Sequence, residues 1–265
     1  MGRRLALVAV AAASVALLAG CSAGSAPAPT ATPVPPTGDK VFRMGDLTPM
    51  TGDLAPYATA QAAGVELAAR IINDNGGVNG APMELWHRDA AVGDSTTATA
   101  NLADLVAHKV DAVLAPSDEM SAEILLKPAS KAKVALLAIG GPKTAAEGSR
   151  TAPASTDDAF KAQLKSADPS ITEYGYGAEA YDITIAAALA ASIAQDDGGP
   201  SIIAGLAQLT NKDGVTCSTY PQCLSILKDK QTPHYVGPAG AFTYDEETGV
   251  ISFTKSSSAK STKKK

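Results

Sequence analysis

The sequence predicts an α/β protein built on a doubly wound parallel sheet, and three observations carry that prediction. From Lys40 to Pro142, strand-like and helix-like segments alternate, four strands with three helices. The segment Val110-Asp111-Ala112-Val113-Leu114-Ala115-Pro116 is apolar almost throughout, as expected of a central parallel strand covered on both faces. The helical segments between strands carry apolar residues at three- and four-residue spacing, which marks a face packed on a sheet. Such βαβ units are right-handed, and their ligand sites lie outside the carboxyl ends of the strands.

Residues 1–20 read as a secretion signal. Arg3 and Arg4 supply the positive charge, and Leu5 to Gly20 form an apolar stretch too short for a comfortable membrane span. Leu18-Ala19-Gly20-Cys21 resembles a bacterial lipobox, which implies cleavage before Cys21 and lipid attachment to it. The alternative is an ordinary signal peptide with an incidental cysteine. Residues 21–39 are rich in Pro, Ala and Thr without apolar periodicity, and read as an extended tether.

The folded part is expected from Lys40. Residues 40–50 are strand-like and lead into a loop, Thr48 to Tyr57, with Pro56 at a helix start. Ala60, Ala63, Gly64, Leu67, Ala68, Ile71 and Ile72 form one apolar helical face. Asn73 to Gly80 supply a helix stop and a turn. A second strand follows over residues 82–90. A second helix turns Leu102, Leu105 and Val106 inward, and the third strand is the apolar run already quoted. The third helix, Ser121 to Lys133, is interrupted at Pro128, and Val134 to Pro142 form the fourth strand. Within Gly148 to Gln163 the alternation stops, and helical segments then follow one another directly.

Composition narrows the function. A net charge of −5 and a pI near 5.2 give no attraction to nucleic acid, and the basic tail, residues 254–265, reads as a solvated end. None of the phosphate-loop, dinucleotide, nucleophile-elbow or zinc-protease motifs is present, so no enzyme and no cofactor is expected. His87, His108 and His234 are isolated in sequence; His87, beside Arg88 and Asp89, reads as part of a surface ion pair. Trp86 and Tyr181 read as packing residues. With Cys21 assigned to the lipid, Cys217 and Cys223 read as a short-loop disulfide in an exported chain, free thiols being the alternative; no metal site is expected.

Gly45 to Ala90 contain P-x-T-G-x-x-A-x-Y and then I-N-x-x-G-G-V-N-G-x-P-x-E-L. In combination these resemble the opening of the leucine/isoleucine/valine-type periplasmic binding proteins, the type I solute receptors of ATP-driven amino-acid importers. Leu105 to Gly141 continue the resemblance. After the join, Tyr174 to Ser192 resemble a later helix of that family, and Gly214 to Gly249 its region before the C-terminus. The resemblance implies a lipid-anchored, extracytoplasmic solute receptor at the outer face of the cytoplasmic membrane. Its partners would be a small-molecule ligand (an amino acid or related solute), ABC permease subunits and the membrane. It also implies two lobes, of which this chain would retain mostly one. Residues 40–152 and 158–253 would belong to that lobe, and the second would be excised at residues 153–157. The closing residues from Gly237 would be interlobe strands or the edge of the missing lobe. Weakened binding is then expected. The alternative is an envelope lipoprotein that keeps the lobe as an interaction or sensing module.

Three loops are the expected site wall. Thr51, Gly52 and Tyr57 lie at a helix start, where partial positive charge favours anions. Ser117, Asp118, Glu119 and Ser121 follow the third strand, where the family places donors to the ligand's polar head. Gly141, Lys143 and Thr144 follow the fourth. Asp118 and Glu119 would repel a bare carboxylate and Lys143 would attract one, so ligand class stays open.

Overall fold

The computed structural model describes residues 35–140, 153–154 and 156–254, without the side chains of residues 119–121. The signal segment, Cys21, Gly141, Lys143, Thr144 and residues 255–265 lie outside the described residues. The first half runs as the sequence predicts: β1 (Arg43–Thr48), α1 (Ala58–Asp74), β2 (Glu84–Asp89), α2 (Ser95–Ala107), β3 (Ala112–Ala115), α3 (Glu119–Lys131) and β4 (Ala135–Ile139). Three successive helices follow, α4 (Asp158–Ala167), α5 (Gly177–Ala194) and α6 (Gly199–Leu209). The chain closes with β5 (Val215–Cys217), α7 (Tyr220–Lys228), β6 (Pro233–Gly237), β7 (Gly240–Asp245) and β8 (Val250–Thr254).

All strands join one sheet in the order β2-β1-β3-β4-β8-β7-β6-β5. The neighbours from β2 to β8 pair in parallel, whereas β7 runs antiparallel to both β8 and β6. The doubly wound parallel sheet read from the first four strands is present, and the closing hairpin adds an antiparallel strand because the tight Asp245–Gly249 turn joins antiparallel neighbours. The closing strands are placed by the sheet itself. They continue the same sheet, and β8 sits beside β4 with Ala138 opposite Val250 and Ile139 opposite Ile251.

Two apolar layers cover the sheet. One holds α2 and α3, with Leu102, Leu105 and Leu125 against Leu47, Val113 and Leu136. The other holds α1, α5, α6 and α7. Every residue of α5 from Gly177 to Ser192 is buried, so this helix has no solvent face. Glycines let it sit close to both neighbours. A Cβ on Gly64 of α1 would strike the Gly177 carbonyl oxygen, and one on Gly205 of α6 would lie 2.5 Å from the Ala190 oxygen. The Cys217–Cys223 disulfide, with 5.3 Å between Cα atoms, ties the end of β5 to α7. At the amino end of the sheet, Thr37 and Gly38 donate backbone N–H bonds to Asp196, and Lys40 to Asp197. Among the described residues no helix is long and apolar enough to cross a membrane.

Candidate functional site

The strand order turns outward in both directions from β1, to β2 on one side and to β3 on the other, and α1 and α2 cover opposite faces. In an open α/β sheet such a switch point leaves a crevice at the carboxyl ends of its strands. The loops after β1 and β3 leave from neighbouring strand ends there, beside the end of β4. Two of the three loops read from the sequence are therefore brought together by the topology, and the third starts from Gly140, whose N–H donates to Ile251 O.

The first loop is fixed from beneath. Met50 N–H donates to Asp89 Oδ1 at 3.1 Å and Thr51 Oγ1 to Asp89 Oδ2 at 3.3 Å, while Met50 N–H also reaches Thr48 O. Gly52 adopts φ +77°, and a Cβ there would meet the Val92 carbonyl at 2.7 Å, so the turn requires glycine. Thr51 and Gly52 are exposed, as is the Met50 side chain at 54%. A short 3₁₀ turn, Ala55–Tyr57, carries Pro56 into α1. Tyr57 packs edge-on against Tyr176 with 5.1 Å between centroids, and its ring lies over Gly175. It props the loop against the approach to α5.

The second loop is shorter than expected. Ser117 is buried, the Asp118 N–H donates to Pro116 O, and Asp118 O accepts the N–H of Ala122. Glu119 and Ser121 are corrected from loop to the first turn of α3, because the Asp118 carbonyl already accepts a helical bond. Backbone N–H groups of that turn, rather than a free loop, border the crevice.

Four carboxylates hold the surroundings. Asp89 carries the first loop. Asp46, fully buried on β1, accepts from Thr48 Oγ1 at 2.6 Å and Gln61 Nε2 at 2.7 Å and contacts His87 Nδ1 at 2.9 Å. This corrects the reading of His87 as an ion-pair partner of its sequence neighbours: strand alternation sends Arg88 to the other face, where it pairs with Asp104. Glu179, in the first turn of α5, accepts the Ala154 N–H, its Oε2 has no partner among the described residues, and burial pushes its pKa up. Asp182 accepts from Tyr235 OH and Ala239 N–H, each at 2.7 Å, and burial raises its pKa far above the usual carboxylate range. For the buried Asp46, Glu179 and Asp182 the sequence shows that a partner is needed, but not which: acidic side chains at core-facing positions must be hydrogen-bonded. Trp86 and Tyr181 pack as expected, on His108 and Phe160.

Two clefts lie elsewhere. One, about 340 Å³, is lined by Phe42, Asn79, Asp196 and Asp197 at the amino end of the sheet. The other, about 570 Å³ and more open, lies between α3 and the β7–β8 turn. The switch point stays the candidate because the β1 and β3 strand ends and the starts of α1 and α3 lie there. Among the described residues no group of His, Cys, Asp and Glu side chains could hold a metal ion.

Residues 42–162, from β1 into α4, match the family model described as periplasmic binding protein. No curated protein matches the chain. Among solved structures, the chain is similar to the branched-chain amino acid transporter substrate-binding protein LivJ of Streptococcus pneumoniae, determined with isoleucine. Identity is 29% over 41% of this chain and 30% of that one, with a TM-score of 0.36. The leucine-binding protein LivK of Thermotoga maritima shows 21% identity over 37% of this chain and 27% of that one, with a TM-score of 0.33. A solute-binding protein of an ABC transporter from Rhodopseudomonas palustris, in complex with 4-hydroxybenzoate, shows 19% identity over 37% and 26%, with a TM-score of 0.33. The match thus spans less than a third of each of these solved chains.

Proposed function

We propose that this chain is the solute-binding component of an ABC importer, lipid-anchored through Cys21 at the outer face of the cytoplasmic membrane. Its ligands are amino acids or similar small polar solutes, and its protein partners are permease subunits. The observation that carries this reading is the match of residues 42–162 to the periplasmic binding protein model. That span contains the two loops that leave from the switch point, and the crevice between them is where an α/β sheet takes a ligand. The first turn of α3 supplies backbone N–H groups there, which suit a carboxylate head, while Thr51 Oγ1 already gives its proton to Asp89 and Ser117 is buried. Under this reading the chain carries one wall of a two-walled site, the second lobe being excised at residues 153–157.

A single wall leaves the ligand's charges hydrated, so each hydrogen bond contributes only about 0.5–1.5 kcal/mol net. A receptor that binds near 1 μM, about −8 kcal/mol, would fall to about millimolar on losing half of that. The test is a thermal-shift panel of the twenty amino acids and small carboxylates on the full chain. With a Kd of about 1 mM, about 50 mM solute stabilises by about 2.3 kcal/mol. That corresponds to a rise of roughly 5–9 °C. Submicromolar binding by monomer would overturn the one-wall reading. No response to any solute would overturn the receptor reading and leave the interaction-module alternative.

A further inference from the structure

We propose that His87 is a proton sensor for the loop between β1 and α1: taking up one proton at its imidazole tightens a buried polar chain that ends at Thr48 and Met50. The geometry is a continuous relay. Asp46 lies at its centre with no solvent exposure. Its Oδ2 is shared by His87 Nδ1 at 2.9 Å and Thr48 Oγ1 at 2.6 Å. Its Oδ1 accepts from Gln61 Nε2, which also donates to Leu47 O at 3.0 Å and so binds α1 to β1. Thr48 O then accepts Met50 N–H, the first bond of the loop. Within the buried part of the chain, where Asp46, Thr48 and Gln61 are at most 2% exposed, His87 is the titratable member that solvent reaches, its side chain being 27% exposed.

The two ring nitrogens explain why one proton matters. A neutral imidazole has a single N–H, and the contact with the Asp46 carboxylate assigns it to Nδ1. Nε2 then turns a lone pair toward Glu66 Oε1, 3.6 Å away, which is a contact between two acceptors. Protonation makes Nε2 a donor and places a cation between two carboxylates, Asp46 from β1 and Glu66 from α1. No compensating cation enters from the packed elements among the described residues. Arg88 pairs with Asp104 on the opposite face of β2, and Arg43 with Asp39 and Glu84. Asp89, two residues along the same face, is occupied by Met50, Thr51 and Ala91. Burial of the imidazole opposes its charge, but the hydrogen bond and charge of Asp46, aided by Glu66, outweigh burial and raise its pKa above 6.5. The loop therefore responds within the pH range that an exported protein meets. The consequence for solute binding rests on the crevice proposed above; the relay itself does not.

The experiment is a pH titration of the full chain by NMR from about pH 5 to about pH 9, following imidazole and amide signals. It needs no solute, so it holds or fails independently of the receptor reading. The His87 midpoint is expected above 6.5, with the Thr48, Met50 and Thr51 amides moving on the same midpoint. In His87→Gln, whose amide can still donate to Asp46, that movement should be lost. The Arg43 amide, which reports Asp111 at the far end of β1, should still titrate. Flat loop amides through the His87 midpoint, or loop titration that survives in His87→Gln, would overturn the proposal.

Discussion

Replacing Gly64 by alanine should destabilise this protein even though alanine is the better helix former. In the interior of α1 the substitution gains about 1 kcal/mol of helix propensity. Its Cβ, however, lands inside the van der Waals radius of the Gly177 carbonyl oxygen and 3.1 Å from Tyr181 N, both backbone atoms of α5. No side-chain rotation relieves that overlap, so α5 must retreat. It has nowhere to go, because on its far side Gly205 is already pressed to the Ala190 carbonyl. Overpacking a rigid interior costs about 1–3 kcal/mol, occasionally more. We expect a net loss of about 1–2 kcal/mol, or roughly 2–8 °C in Tm for a folded part of this size. Urea unfolding followed by circular dichroism measures it, with Gly205→Ala and the double variant alongside. Since both substitutions push α5 from opposite sides, the double variant should lose more than the sum, by at least ~0.5 kcal/mol. An unchanged or raised Tm in Gly64→Ala would show that α1 does not seat on α5 through this glycine, and strict additivity would show that α5 is free to yield.

Three further outcomes are expected. Reducing the Cys217–Cys223 disulfide, or replacing both cysteines by serine, should cost about 2 kcal/mol for so short a loop; an unchanged Tm under reductant would refute a stabilising role. Asp111 has its pKa pushed up to about 7, first by burial and then by the nearby Asp197 charge, against the Arg43 N–H bond that favours its ionised form. Its folded pKa exceeds the unfolded 3.8, so the folded state binds the extra proton and stability falls as pH rises from about 4 to about 7. Asp111→Asn should therefore stabilise by on the order of 2 kcal/mol at pH ~8 and little at pH ~4, and equal effects at both would refute the charge argument. Cys21→Ser should release the chain from the detergent phase, and unchanged partitioning would count against lipidation.

What the sequence made legible was what local periodicity encodes. β1 to β4 and α1 to α3 follow from alternation and three-to-four spacing, and six of the seven residues read as the inner face of α1 are buried, Ile71 alone remaining half-buried. Residues whose partners are distant in sequence were not legible. His87 meets Asp46 across 41 positions and Tyr235 meets Asp182 across 53, while the place of β8 beside β4 depends on pairing between strands far apart in the chain. α5 is a different case: it is buried all round, so no polar face marks its rotation in the sequence. At the candidate site, the β1 and β3 loops were legible because strand ends and Gly or Pro turns announce them. Their supports were not, since a carboxylate in a strand reveals nothing of what it will accept from.

Those supports decide what kind of wall the crevice presents. A loop that is ordered only by its ligand spends binding energy on ordering itself. Here Asp89 holds the first loop through Met50 and Thr51, Asp46 holds its root through Thr48, and Asp182 holds the β6–β7 turn through Ala239. The first loop and the β6–β7 turn are thus held by side chains anchored on strands and on the buried α5. The chain enters at the opposite end of the sheet, clamped by Asp196 and Asp197, and leaves the carboxyl ends of the strands unobstructed by residues 37–40. Under the one-wall proposal, affinity would be limited by hydration rather than by flexibility, because a ligand's charges would be met on one side and stay in water on the other. Stiffening the loops further should accordingly do little for binding, whereas covering the wall, by a second lobe or by a partner supplied in trans, should strengthen it by removing that water.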